Sequence, residues 1–397
     1  MNVSRIHRLV YIIGFLDLLG VSLILPLILP LVKSLGVTHF VAGGITSLYG
    51  AIQLFSSPAV GRWSDVAGRR PVMMVCLIAT ALSYLVLGAT QSLLVIIIGR
   101  AIAGLFKHSQ TVCRALLADI TSPEERSQTF GTFNAASSIG FIIGPMLGGH
   151  ISELEDGFKV VCNLGASLFL INFVLCWMFI PEVRVKQFKL SKKSYKSDGS
   201  GRSFAFVKDI DWHIFWDIFL IRFFLSFSSL VYRSNFSLLI NQNFGASPVV
   251  IGYLISFQGI ISAVAGFFTG QVSKIYRDSQ QELYHGSILM TLALLGLTVA
   301  PSLSLLLLCL IPLCISTAVI RVSGSAVTIS RCEPSQIGSV TGFGQSISSV
   351  ARMVTPMVAG VTQEISVYGP GVMGTISAGV GAALVGYMQH KTKLKPE

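Results

Sequence analysis

Seven basic side chains stand inside long apolar stretches of this chain: Arg100, Lys107, Arg114, Arg222, Arg233, Arg321 and Arg352. Arginine offers a planar fork of donors that matches carboxylates, sulfates and phosphates, whereas lysine is a compact point charge. Arg100, Lys107 and Arg114 recur every seventh residue. Seven helical steps of about 100° return to within about 20° of the start, so on one continuous helix they form a stripe, with His108 beside it. Arg222 and Arg233, eleven residues apart, are again nearly aligned. Against these bases the apolar stretches offer Asp17, with Asp217 and Asp119 near their ends. Even if all three acids pair inward, bases remain in surplus. Fixed cations in a low-dielectric setting need an anion or water to relieve them, so the chemistry these residues suit is reversible binding of an anion. Asn134, Gln258 and Gln345 add neutral hydrogen-bonding groups.

Plainer roles stay open beside this one. Arg114, Arg222 and Arg321 lie near the ends of their stretches, where long side chains reach headgroups, and Arg100 fits a structural role. Asp17, in GFLDLLGVSLILP, reads either as a proton-exchange group or as the permanent partner of Arg100 or Lys107. No phosphate-binding loop, metal-ligand cluster or nucleophile with base and orienter stands out, so neither an enzyme nor a cofactor is expected. The seven cysteines form no CxxC pair, which indicates neither zinc nor a disulfide framework.

The elements that must hold these residues are membrane helices. Of 397 residues, 52% are hydrophobic and only 12% charged, where soluble domains carry about 25% charged. Apolar runs long enough to span a bilayer recur from Leu9 to His390, which leaves no stretch able to clothe a soluble domain. Hydropathy and turn signals place helices near 9–32, 40–61, 71–89, 92–117, 128–150, 162–180, 214–240, 247–273, 284–300, 303–326, 335–362 and 368–390. The expected fold is therefore an all-α membrane protein with twelve transmembrane helices. The net charge of +11 does not point to nucleic acid, because the bases are scattered between apolar runs. With both termini in the cytosol, 20 of the 29 Lys and Arg fall in cytoplasmic segments and only Lys33 and Lys159 in outer loops, the orientation the positive-inside rule selects.

The chain divides into an N-terminal half, 1–181, a basic Ser- and Gly-containing linker, 182–213, and a C-terminal half, 214–397. The halves repeat: Gly43, Ser47, Gly50, Gly61 and Ser64 recur 209 residues later as Gly252, Ser256, Gly259, Gly270 and Ser273. Gly131, Ser137, Ser138, Pro145, Met146, Gly149 and Glu153 recur 211 residues later as Gly342, Ser348, Ser349, Pro356, Met357, Gly360 and Glu364. Two six-helix halves in parallel orientation form the architecture in which one half rocks against the other around a central site.

Three motifs carry a family resemblance. GRWSDVAGRRP, from Gly61 to Pro71 and including Asp65, Gly68, Arg69 and Arg70, is similar to the gating-loop signature of the major facilitator superfamily, with Val66 in place of a basic residue. IIIGRAIAG, Ile96 to Gly104, resembles that family's membrane-embedded arginine motif. GFIIGPMLGG, carrying Gly140, Gly144, Pro145, Gly148 and Gly149, resembles the antiporter motif of its drug:proton branch, which includes the tetracycline-efflux carriers. The resemblance implies the two-half fold, a latch at Asp65 and solute transport by alternating access, with a proton as a possible coupling ion. In the second half Lys274 stands where Asp65 would repeat, and the third and ninth helices lack the acids of the tetracycline carriers. The leading expectation is a carrier of a small organic anion. Proton-coupled efflux of amphipathic or cationic compounds, and a carrier fold retired into a receptor or scaffold, are the alternatives.

Overall fold

A computed structural model describes residues 3–89, 92–122, 125–181, 212–276, 278–332 and 337–393. These residues form fourteen helices: α1 Val3–Leu23, α2 Leu25–Ser34, α3 His39–Ala67, α4 Arg69–Ala89, α5 Leu93–Phe106, α6 Ser109–Ile120, α7 Arg126–Ser152, α8 Gly157–Phe179, α9 Trp212–Phe244, α10 Pro248–Ile275, α11 Ser279–Val299, α12 Leu303–Ser330, α13 Ile337–Ile365 and α14 Gly369–Lys393. They make twelve transmembrane spans, because α1 with α2 and α5 with α6 each form one broken span. Ten spans are apolar enough to stand out by hydropathy. The other two, α3 and α13, are each 29 residues long and carry glycine and serine along their length. Of the expected linker, 182–211 lies outside the described residues, and 212–213 open α9.

Local chemistry sets several boundaries. Thr38 caps α3 by accepting from the Val41 amide at 3.3 Å. Ser302 caps α12 through the Leu305 amide in the same way. Pro26 lies in the first turn of α2, where a missing N–H costs nothing. The expected continuous helix 92–117 is corrected here: the backbone leaves helical geometry at Lys107, and α6 restarts at Ser109. The seven-residue arithmetic therefore does not carry Arg100, Lys107 and Arg114 along one stripe.

The chain forms two compact units. One holds the described residues through 181 together with Ser234–Ala263 and Pro356–Val367; the other holds the described residues of 212–233, Val264–Thr355 and 368–393. In the first, α7 lies along α1, and α8 packs on α1 and α4. The antiporter-like motif explains the closeness of the first pair. Gly140, Gly144 and Gly148, four residues apart, sit on the Phe15, Leu19 and Leu23 carbonyls of α1, also four apart, with no room for a Cβ. Small residues at this spacing let helix backbones touch, which in lipid is a main source of packing energy.

The same unit contains a seam at the end of the bundle opposite the start of α1, called the distal face below. A Cβ on Gly43 of α3 would lie under 3 Å from the Pro356 carbonyl oxygen of α13, and one on Gly252 of α10 equally close to the Pro145 oxygen of α7. Gly360 meets the His39 carbonyl and Gly149 the Pro248 carbonyl in the same way. The Ser47 hydroxyl accepts from the Met357 amide at 3.1 Å, and the Ser256 hydroxyl donates to the Ile142 carbonyl at 2.5 Å. All of these but His39, Pro248 and Ile142 belong to the 209- and 211-residue repeats, and the two copies pair crosswise.

In the second unit α11 packs on α12 and α14. Ser377 donates to the Phe224 carbonyl at 2.9 Å, tying α14 to α9. Phe343 of α13 lies between the rings of Trp212 and Phe219 of α9, at 5.1 and 4.9 Å between centroids.

Candidate functional site

The break between α5 and α6 places Lys107, Ser109 and Gln110 at a buried polar centre. Lys107 Nζ lies 2.6 Å from both carboxylate oxygens of Asp17, and the two residues are 8% and 1% exposed. Ser109 Oγ accepts from Lys107 Nζ at 2.8 Å and donates to Asp17 Oδ1 at 2.5 Å. Gln110 Nε2 donates to Asp17 Oδ2 at 3.1 Å and to the Gly14 carbonyl at 3.0 Å. The ammonium also stands 5.1 Å from the centre of the Phe169 ring. Asp17 is thus the partner of Lys107 and not of Arg100, and every member of this network has a counterpart.

On the other side of the break, His108 Nε2 is 2.7 Å from Ser56 Oγ, and Gln53 Nε2 donates to the Lys107 carbonyl at 3.0 Å. The interruption leaves carbonyls without helical donors, and side chains of α3 supply them, as buried backbone requires. His108 is also at the edge of a cavity of about 150 Å³ whose lining includes Ser57, Ser64, Asp65, Arg69 and Thr111.

The gating loop forms a small charge network. Arg69 pairs with Asp65 at 2.5 Å and Asp119 at 2.8 Å, and donates to Ser64 Oγ at 2.6 Å. Arg70 donates to the Trp177 carbonyl at the end of α8. Gly68 adopts φ 99°, a left-handed backbone that suits glycine alone, and turns the chain from α3 into α4. In the second copy Ser273, the repeat of Ser64, donates instead to Glu282 of α11 at 2.8 Å.

Arg100 lies over the Tyr49 ring at 5.2 Å. Arg114 donates to Asn134 Oδ1 at 3.0 Å and faces the Phe133 ring at 6.0 Å. In the second unit Arg222 crosses Gly344 and donates to Ser348 Oγ at 3.3 Å, while Asp217 is held by Arg331 at 2.9 Å. Among the described residues no acid lies within ion-pair distance of Arg222, Arg233, Arg321 or Arg352. Arg233, Arg321 and Arg352 are exposed, as is Gln345, whereas Gln258 is buried. Ser109, Gln110 and Ser56 escape a reading of the sequence by charge. The available signal is the polar run Lys107 to Gln110 inside an apolar span.

A model of the Major Facilitator Superfamily matches residues 10–356 and 218–396. The chain is 26% identical over 364 residues to Multidrug resistance protein 2 of Bacillus subtilis (strain 168), covering 90% of this chain and 88% of that protein. It is 31% identical over 192 residues to the class H tetracycline resistance protein of Pasteurella multocida, covering 47% of this chain and 46% of that one. The crystal structure of the human organic anion transporter MFSD10 (TETRAN) superposes with a TM-score of 0.68 at 23% identity, covering 97% of this chain and all of that one.

Proposed function

Because this chain belongs to the major facilitator superfamily, it is a secondary active transporter of a small solute in a membrane, and we propose that the solute is an organic anion. The observation that carries the proposal is the charge balance. Three acids inside or beside the spans have a base, Asp17 with Lys107, Asp119 with Arg69 and Asp217 with Arg331, while Glu282 and Glu364 accept from the Ser273 hydroxyl and the Phe40 amide and neutralise none of the remaining arginines. Arg222, Arg233, Arg321 and Arg352 are left over on α9, α12 and α13, and a guanidinium surplus in low dielectric favours a carboxylate, sulfate or phosphate. That a structural relative is an organic anion transporter accords with this reading. The solute passes chemically unchanged, by alternating access, with both termini in the cytosol.

We assign coupling to protons to Asp17. While ionised it holds Lys107 at 2.6 Å; once protonated it no longer neutralises the ammonium, which then competes for an anion. Proton and anion uptake become linked through one pair of charges. The multidrug- and tetracycline-resistance relatives favour a second reading, efflux of amphipathic or cationic compounds through the same acid.

Charge selectivity decides between them. Comparing metabolites of expressing and silenced cells supplies the solute, and flux into proteoliposomes is then measured for it and a neutral analogue. Arg233→Gln should depress the anion's flux about tenfold or more and the analogue's far less. Equal losses for both, or a cation carried unaided by the unaltered protein, would overturn the anion assignment.

A further inference from the structure

The distal seam carries a chain of side-chain hydrogen bonds that the backbone contacts do not require. Asn235 Nδ2 of α9 donates to Gln363 Oε1 of α13 at 2.8 Å. Gln363 Nε2 donates to Gln242 Oε1 at 2.6 Å, and Gln242 Nε2 reaches His39 Nε2 of α3 at 3.1 Å. Gln363 and Gln242 each spend the oxygen on the preceding donor, so the group offered to His39 is an NH2. A neutral imidazole with its proton on Nδ1 accepts that bond; an imidazolium turns a second donor toward it. The chain can be restored around a charged His39 only by turning all three amides over together.

We propose that His39 is a proton-binding site that ties closure of the distal seam to pH, the seam loosening as the medium on that side becomes acidic. His39 is positioned for this by the seam itself, since its carbonyl is one of those pressed against Gly360. The charged groups around it are Lys33, bonded to the Val37 carbonyl, and Glu364 of α13, which accepts from the Phe40 amide; from α9 it meets the neutral Gln242. The other half of the seam supplies a contrast. His150 has Nδ1 2.9 Å from the Met146 carbonyl and Nε2 3.3 Å from the Tyr253 hydroxyl. A phenol rotates from donor to acceptor without help, so protonated His150 keeps its partner. The site is independent of any transported solute and of the charge-balance argument for anions.

The test uses the full-length protein in detergent, with the half-exposed Cys309 and Cys332 changed to alanine and spin labels at Leu154→Cys and Val367→Cys, two exposed distal positions. Distances are measured at about pH 7.5 and about pH 5, the lower value set well below ordinary histidine titration because His39 is partly buried and faces Lys33. The ratio of long to short separations should rise about tenfold on acidification, the factor expected when one hydrogen bond becomes a donor–donor conflict. His39→Gln should hold the short separation at both values, and His150→Gln should leave the response intact. Gln242→Glu replaces the donor with an acceptor for imidazolium and should reverse the direction. An acid response that survives in His39→Gln, its absence from the unaltered protein, or loss of it in His150→Gln would each overturn the assignment.

Discussion

The Asp17–Lys107 pair can be measured without knowing what the protein carries. Asp17→Asn leaves an ammonium that is 8% exposed with Ser109 Oγ and one amide oxygen as acceptors. Lys107→Gln leaves a carboxylate that is 1% exposed with donors from Ser109 and Gln110. Removing one partner of a buried pair costs about 3–5 kcal/mol, because the remaining charge stays desolvated and uncompensated. The retained hydrogen bonds put both single changes at the lower end, about 3 kcal/mol each. The double change removes both charges and leaves amides that can bond to each other, Ser109 and Gln110, so its cost should be about 2 kcal/mol. The coupling energy is then about 4 kcal/mol out of an additive 6, far above the error of a double-mutant cycle. Thermal midpoints of purified protein in detergent, followed by cysteine-reactive or intrinsic fluorescence, give the ordering. The double variant should be more stable than either single variant. If the two effects simply add, the charges are not each other's main compensation, and Asp17 would not be the group that controls Lys107.

Further outcomes follow from the seams and the latch. Gly43→Ala forces a Cβ under 3 Å from the Pro356 oxygen. An overpacking cost of about 1–3 kcal/mol should shift distal spin-label separations toward the long population, while Gly44→Ala, with nothing within 4 Å, should leave them unchanged. Gly144→Val drives a side chain into Ser22 and the Leu19 carbonyl, so folded yield and thermal midpoint should fall sharply, whereas a Cβ at Gly61, on the cavity wall, meets nothing within 4 Å, and Gly61→Ala should match the unaltered protein. In the latch, Asp65 is 60% exposed and shares Arg69 with the less exposed Asp119. Asp65→Asn should therefore cost under about 1 kcal/mol and Arg69→Gln visibly more; equal effects on thermal midpoint would show that Asp119 contributes nothing.

Composition yields the membrane class, and hydropathy read together with turn signals yields the twelve spans, including α3 and α13, which hydropathy alone does not mark, because a bilayer admits few other backbones. The repeat offsets go further than expected, since the residues they pick out, such as Gly43, Gly252, Pro145 and Pro356, are those that meet across the distal seam. Glycine and proline are informative there because the contact is backbone against backbone. The polar centre was less legible. Helical arithmetic assumed that 92–117 runs unbroken, and the sequence Phe106-Lys107-His108-Ser109 contains neither proline nor glycine to announce the break. The interruption depends on Gln53 and Ser56 of another helix, which take up the freed carbonyls. A tertiary cause of this kind leaves no local mark. Asp17 was visible as a buried acid, yet which base it would choose depended on where that break turned Lys107.

The crosswise pairing at the distal seam has the form of an isologous interface. Gly43 meets the Pro356 carbonyl as Gly252 meets that of Pro145, and Gly149 meets Pro248 as Gly360 meets His39. In a symmetric dimer, residue i of one copy contacts j of the other while j contacts i, and here both copies are carried by one chain. Any change to a seam position therefore has a twin that chemistry treats alike but selection can alter separately. Backbone contacts have stayed matched in the two copies, whereas the side-chain bonds have diverged, amides and His39 on one side, Tyr253 and His150 on the other. With both copies on one chain, each side of the interface can hold its own sensitivity to the medium while the steric fit of the two remains the same.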